Sequence, residues 1–239
     1  MSNSKAFVIR SIKQGETSLI VSCYVEKIGY RSFLVKGVYS SKKSRFSKAH
    51  FFPLNLINIH YSFNESKNLG FIKEVKSEIL FSTIHSDIQK SSVIIFLSEI
   101  LNSVFKEEID VNQDLFNFLL NSLIWYDSVI ECNDFHVKFL IELSKYIGFH
   151  PNIINENDQY FCIESGTTSN IKPIGESISG EDLKLFKKLL GMKFEDLNTM
   201  NIRRESRTRI LKKIIDYYSL HLQMFKTPKS INVFAEVFK

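Results

Sequence analysis

The segment "KGVYSSKKSRFSK", residues 36–48, holds five cations (Lys36, Lys42, Lys43, Arg45 and Lys48), two aromatics (Tyr39 and Phe46) and no acid. These residue types share one chemistry. Lysine and arginine neutralise phosphates, and aromatic rings stack on unpaired bases. Arg31 lies just upstream and would extend the positive surface. The run also has the spacing of a phosphate-binding loop, from Gly37 to Lys43-Ser44, but Lys42 stands where the second glycine belongs. A lysine there resists the backbone path that wraps a phosphate, so nucleotide binding of that kind is set aside. The bland alternative is a solvated basic loop without a partner, with Tyr39 and Phe46 folded back over the domain that carries them.

A second basic cluster, "RRESRTRILKK", spans 203–213. Ile210, Leu211, Ile214, Ile215, Tyr218 and Leu222 fall on one helical stripe, which predicts a helix over 203–223 with Arg209, Lys212 and Lys213 on a solvated face. Arg203, Arg204 and Arg207 sit near the helix start, where the macrodipole disfavours cations. Either acids elsewhere in the chain or phosphates must answer them. The acidity of the central segment favours ion pairs, and phosphate contact stays open.

Residues suited to catalysis are scarce. The chain has no GxSxG, no HExxH and no clustered DxD. Histidines 50, 60, 85, 136, 150 and 221 do not pair at metal-ligand spacing, and Cys23, Cys132 and Cys162 form neither a CxxC nor a pairing framework. Glu107, Glu108, Asp110 and Asp114 read as the solvated face of a linker rather than a cation site. The sequence therefore points to a binding protein, not an enzyme. The cysteines are expected to be reduced thiols.

The net charge of +5 conceals a pattern. Residues 1–80 carry 13 Lys and Arg against 5 Asp and Glu, residues 81–180 carry 5 against 14, and residues 181–239 carry 13 against 7. The two ends suit an anionic partner; the middle suits a basic surface, on another protein or on this chain. No signal-peptide pattern opens the chain, and its longest uncharged run, Leu115 to Tyr126, is too short to span a bilayer. A cytoplasmic, nucleoid-associated protein without membrane contact is expected.

The elements that must position these residues follow from periodicity. With 239 residues and an apolar fraction of 44%, one or two domains can be filled. Period-two alternation predicts strands at 6–13, 17–26, 29–38, 56–63 and 69–76. Five short strands with one long loop between the third and fourth suggest a small barrel of OB type, though the pattern alone equally allows an SH3-like barrel. From about residue 84 the period becomes helical. Helices are predicted at 87–105, 112–128, 133–148 and 180–190, with Asn112, Asn133 and Ser179 as N-caps and Gly148 as a C-cap. The fold class is thus α+β, with a nucleic-acid-binding β domain at 1–80 and an all-α domain at 81–239. Residues 149–180, rich in Asn, Ser, Thr, Gly and Pro, make an irregular insertion with one strand-like piece at "QYFCIE". The apolar tail, 224–239, is expected to dock.

Two stretches carry a family likeness. "GETSLIVSCYVEKIGYRSFLVKGVYSSKKSRF" (15–46), continuing into "FFPLNLI" (51–57), and "YYSLHLQMFKTPKSINVFAEVFK" (217–239) resemble the bacterial RecO family, its Bacteroidetes-type branch in particular. The resemblance implies a DNA repair and recombination mediator that binds single- and double-stranded DNA through its OB domain. It implies annealing of complementary strands, action with RecR, engagement of strands coated by single-strand-binding protein, and help in loading RecA. Carried over by position, Arg31, Lys36, Lys42, Lys43, Arg45 and Lys48 are the DNA-binding candidates. Many family members hold zinc with four cysteines in the insertion; here 149–180 offers only Cys162, with His150 at its edge. A zinc-free insertion held by Tyr160, Phe161 and Ile163 is expected. The competing readings are an adaptor that binds proteins and no nucleic acid, and an RNA-directed enzyme.

Overall fold

The computed structural model describes residues 2–40, 46–64, 67–107, 110–200 and 202–231. Contacts divide the described residues into two compact units, one of residues up to 116 together with 228–231, the other of residues 117–227. The first unit thus runs past residue 80 through one helix and the first turn of the next.

The first unit is built on a closed barrel of β1 (Ser2–Gln14), β2 (Ser18–Val25), β3 (Gly29–Val35), β4 (Leu56–Asn64) and β5 (Lys67–Ser77), in the order β1-β2-β3-β5-β4. All pairs are antiparallel except β3 with β5, and β1 closes the barrel on β4. This path is that of an OB-type barrel and decides against the SH3-like alternative. Alternation explains it. Leu19, Val21, Cys23 and Val25 point inward from β2, Phe33 and Val35 from β3, and Ile57, Ile59 and Tyr61 from β4, and all are buried. Gly70 has a specific task. A Cβ at that position would lie 2.7 Å from the Phe33 ring and 2.9 Å from the Phe63 ring, so only glycine lets β5 pass so close to β3.

Two aromatics break the alternation for a reason. Tyr24 and Tyr30 face out of the barrel onto α1 (Ile88–Val104) and the turn after it. Tyr24 stacks on Phe105 at 4.3 Å, and Tyr30 donates to the Asn102 side chain at 2.9 Å. Asp87 caps α1 by accepting from the Lys90 amide at 2.8 Å. Asn112 caps α2 (Gln113–Ser128) as expected, its Oδ1 accepting from the Leu115 amide at 2.9 Å.

The second unit gathers the rest of α2 with α3 (Phe135–Tyr146), α4 (Gly180–Gly191), α5 (Arg204–His221) and a sheet of β6 (Tyr160–Cys162), β7 (Thr167–Ser169) and β8 (Ser177–Ser179) in the order β7-β6-β8. Phe135 is central, stacked on Tyr126 at 3.9 Å and near Trp125 and Phe194. The expected cap at Asn133 is corrected. Asp134 occupies the N-cap position of α3 and its side chain makes no cap bond, because its carboxylate accepts from Arg207 instead. Ser179 does stand at the N-cap of α4, also without a side-chain cap bond. Gly148, at φ +85, ends α3 in the left-handed region as expected.

The insertion is more regular than its composition suggested. Phe161 and Ile163 are fully buried, Tyr160 half so, and Ile178 of β8 joins them. Gly166 turns β6 into β7 at φ +67, where a Cβ would fall 2.5 Å from the Tyr217 hydroxyl. That hydroxyl donates to the Phe149 carbonyl at 2.6 Å, tying α5 to the start of the insertion. No described helix is long and apolar enough to cross a membrane.

Candidate nucleic-acid interface

The end of β3 and the segment that follows it carry the barrel's basic surface. Arg31, on β3, donates to the Tyr30 carbonyl at 2.8 Å and holds its guanidinium 5.5 Å from the centre of the Phe63 ring. Lys36 is exposed, its ammonium 5.7 Å from the Phe71 ring. Gly37 turns the chain at φ +79, and the Tyr39 amide donates to the Thr17 carbonyl at 3.0 Å, which returns the backbone to the barrel. Lys42, Lys43 and Arg45 lie outside the described residues. The chain re-enters at Phe46 and a short 3-10 helix, Lys48–Phe51, capped by the Ser47 hydroxyl.

The structure changes the reading of the two loop aromatics. Tyr39 and Phe46 are half-buried and pack against the barrel core, with the Phe46 ring 6.2 Å from Phe51. Tyr39 lies between two ammonium groups, Lys48 at 4.4 Å and Lys13 at 5.4 Å from its ring centre. An aromatic held this way gives its face to cations rather than to a base. Its local effect is to gather two exposed lysines, Lys13 and Lys48, around one ring. Sequence reasoning missed Lys13, which lies near the end of β1, opposite Leu19 and exposed where that strand runs past the barrel core. Among the described residues no carboxylate lies within ion-pair distance of Lys13, Lys36 or Lys48.

The arginines of α5 behave otherwise. Arg207 donates from Nε to Asp134 at 2.6 Å and from Nη2 to the Ile202 carbonyl at 3.1 Å, and both charged side chains are nearly buried. Burial pushes the Asp134 carboxyl above the ordinary carboxylate value, and the Arg207 guanidinium offsets part of that rise. Fully buried His136, two residues on, is held down to about 3, by burial first and by the Arg207 charge second. Arg209, read from sequence as solvated, makes a two-pronged pair with Asp182 at 2.6 and 2.9 Å, and Lys213 pairs with Glu176. Acids reach these cations from α4 and the insertion, which a helical wheel cannot show. Arg203 and Arg204 are exposed at the N-terminus of α5.

Residues 1–80 match the family model described as Recombination protein O N terminal, and residues 85–230 match Recombination protein O C terminal. The chain belongs to the RecO family. It is 40% identical to the DNA repair protein RecO of Flavobacterium psychrophilum over 235 residues, 98% of each chain. It is 36% identical to that of Flavobacterium johnsoniae, again over 98% of each. The DNA repair protein RecO of Bacteroides fragilis is 34% identical over 97% of this chain and 96% of its own. The two RecO models meet between residues 80 and 85, just past the last barrel strand.

The zinc site that the RecO resemblance brings with it does not fit the insertion. Cys162 is its one cysteine, and His150 is engaged with the Ser144 hydroxyl at 3.2 Å. Among the described residues no three His, Cys, Asp or Glu side chains are grouped to hold a metal.

Proposed function

We propose that this RecO-family chain is a non-enzymatic mediator of DNA repair and recombination, and that its barrel binds the DNA. The observation that carries this reading is the set of cations at the end of β1, at the end of β3 and on the 3-10 helix. Lys13, Lys36 and Lys48 rest on aromatic rings and are left without carboxylates among the described residues. A cation held this way keeps its charge for a phosphate, and each phosphate it neutralises releases condensed counterions. Lys42, Lys43 and Arg45, from the same stretch of sequence, are further candidates for phosphate contact, and Arg31 would support them from β3.

Contacts of this kind read no sequence and take both single and double strands. Two strands drawn to one basic surface are screened from each other, which lowers the repulsion that slows pairing, so annealing follows from binding without any chemical step. The family likeness adds partners: RecR, the single-strand-binding protein on coated strands, and RecA as the protein whose loading is helped. Arg203 and Arg204 are secondary candidates for phosphate contact. Arg207 is not, because its charge is already answered.

The test is annealing of two complementary oligonucleotides, one labelled with a donor and the other with an acceptor dye, at stoichiometric protein. Annealing faster than the spontaneous rate, with every oligonucleotide recovered chemically unchanged, is the expected result. Annealing at the spontaneous rate, together with no nucleic-acid binding at low salt, would instead favour an adaptor that works only through proteins.

A further inference from the structure

Helix α1 leaves one side open, and that side is apolar. Ile88, Ser91, Ser92, Ile95 and Glu99 follow one another at helical spacings of three and four and form one stripe. Ile88 is 75% and Ile95 46% exposed, with Ser91, Ser92 and Glu99 half-buried. Apart from Gln89 and Asn102, the rest of the helix is buried, Lys90 included. A solvated helix face ordinarily carries charge, and a helix apolar on nearly every side calls for cover. From Ile88 to Ile95 this stripe carries no charge.

One end of the stripe is already engaged. The Ser230 amide donates to the Glu99 carboxylate at 3.2 Å, and the Ile231 amide donates to the Pro228 carbonyl at 3.4 Å, so the chain turns at 228–231 beside α1. These residues belong to the same compact unit as the helix. The Ser230 hydroxyl is buried there, without a partner among the described residues. A serine so placed caps a helix by accepting from the amide two or three positions on, here Asn232 or Val233. Eight residues, "NVFAEVFK", follow the described ones. Helical spacing would put Val233, Phe234, Val237 and Phe238 on one side, and Asn232, Glu236 and Lys239 on the other. Eight helical residues advance about 12 Å, which is the rise along α1 from Glu99 back to Ser91.

We propose that residues 232–239 form a helix that lies antiparallel along α1 and covers the stripe from Ile95 to Ile88. Phe234 meets Ile95, and Phe238 seats in the hollow that the small Ser91 and Ser92 leave between the two isoleucines. The direction follows from what is open. Beyond Glu99, Asn102 accepts from Tyr30 and Phe105 stacks on Tyr24, so the Ile88 end is the one that offers an apolar face. With the tail in place, its polar side meets water and the α1 face is closed to apolar segments of other proteins.

The test uses the full chain with a photoreactive side chain, Ile95→benzoylphenylalanine, irradiated and then digested with trypsin. Lys229 precedes the tail and Lys239 ends it, so residues 230–239 are released as one peptide. The expected product joins the α1 peptide to residues 230–239, in material that runs as a single chain on a denaturing gel. Adding Phe234→Ser/Phe238→Ser should lower its yield by at least about tenfold, since two buried rings are lost. Adding Glu236→Gln, on the polar side, should leave the yield unchanged. Each variant is checked for folding by circular dichroism; should the Ile95 variant fail, Ile88→benzoylphenylalanine at the exposed end of the stripe is read in the same way. Crosslinks that do not involve residues 230–239 would overturn the proposal. Crosslinks to that peptide found only between two chains would also overturn it and assign the face to a second copy. A yield that ignores the two phenylalanines would contradict the seating of the tail.

Discussion

Lys36 and Lys48 on the barrel rest their ammonium groups near the rings of Phe71 and Tyr39, whereas Arg207 and Arg209 on α5 are held by Asp134 and Asp182. Both regions read in sequence as runs of cations. A ring orients a cation through its quadrupole and leaves the net charge in place. A carboxylate cancels it. The first region is therefore suited to meet an outside anion, and most of the second is already part of the fold. Local density of Lys and Arg does not separate these cases; the position of Asp134, 73 residues before Arg207, does.

The sharpest way to break this contrast is to remove Arg207. Arg207→Ala leaves Asp134 charged and nearly buried, which costs about 3–5 kcal/mol. A marked fall in the denaturation midpoint is expected, and a midpoint equal to wild type would show that the pair does not hold α5 to α3. The pH dependence of the same cluster comes next. His136 titrates near 3 in the folded chain, against 6.5 in its ordinary state. The unfolded chain therefore binds the extra proton between those values, and stability is lost as pH falls through that window. The slope is about 1.4 kcal/mol per pH unit from this one residue. His136→Phe should flatten it, as followed by denaturation at pH 7 and pH 5.

Smaller effects sharpen the comparison. The Arg209–Asp182 pair is exposed on its arginine side, so Asp182→Ala should cost under about 1 kcal/mol in spite of good geometry. On the barrel, Lys36→Ala with Lys48→Ala should change stability by no more than about 0.5 kcal/mol. A large loss there would mean that these lysines serve the fold, as Arg207 does.

These contrasts also mark what the sequence could tell. The barrel was legible because alternation is a local signal. "SLIVSCYV" on β2 turns Leu19, Val21, Cys23 and Val25, every second residue, into the barrel core, with Tyr24 the one outward residue also buried. The cap at Asn112 was legible for the same reason, since its partner lies three residues away. Asn133 failed as a cap because Asp134 was recruited from a distance. β8 was missed because three residues, "SIS", carry too little pattern to distinguish a strand from a loop. The basic loop was evident, but the fate of Tyr39 was not. Lys13 approaches its ring only after β1 runs antiparallel to β2, and no spacing in the chain encodes that.

The most direct test is the salt dependence of single-strand binding, measured by anisotropy for three proteins. These are the wild type, a variant with Lys36, Lys42, Lys43, Arg45 and Lys48 changed to Ala, and a variant with Arg203 and Arg204 changed to Ala. The log–log slope of the barrel variant should fall by roughly 0.7 for each phosphate contact removed, and that of the α5 variant should stay close to wild type. An unchanged slope in the barrel variant, with a reduced slope in the α5 variant, would contradict the assignment and move the phosphate contacts to the N-terminus of α5.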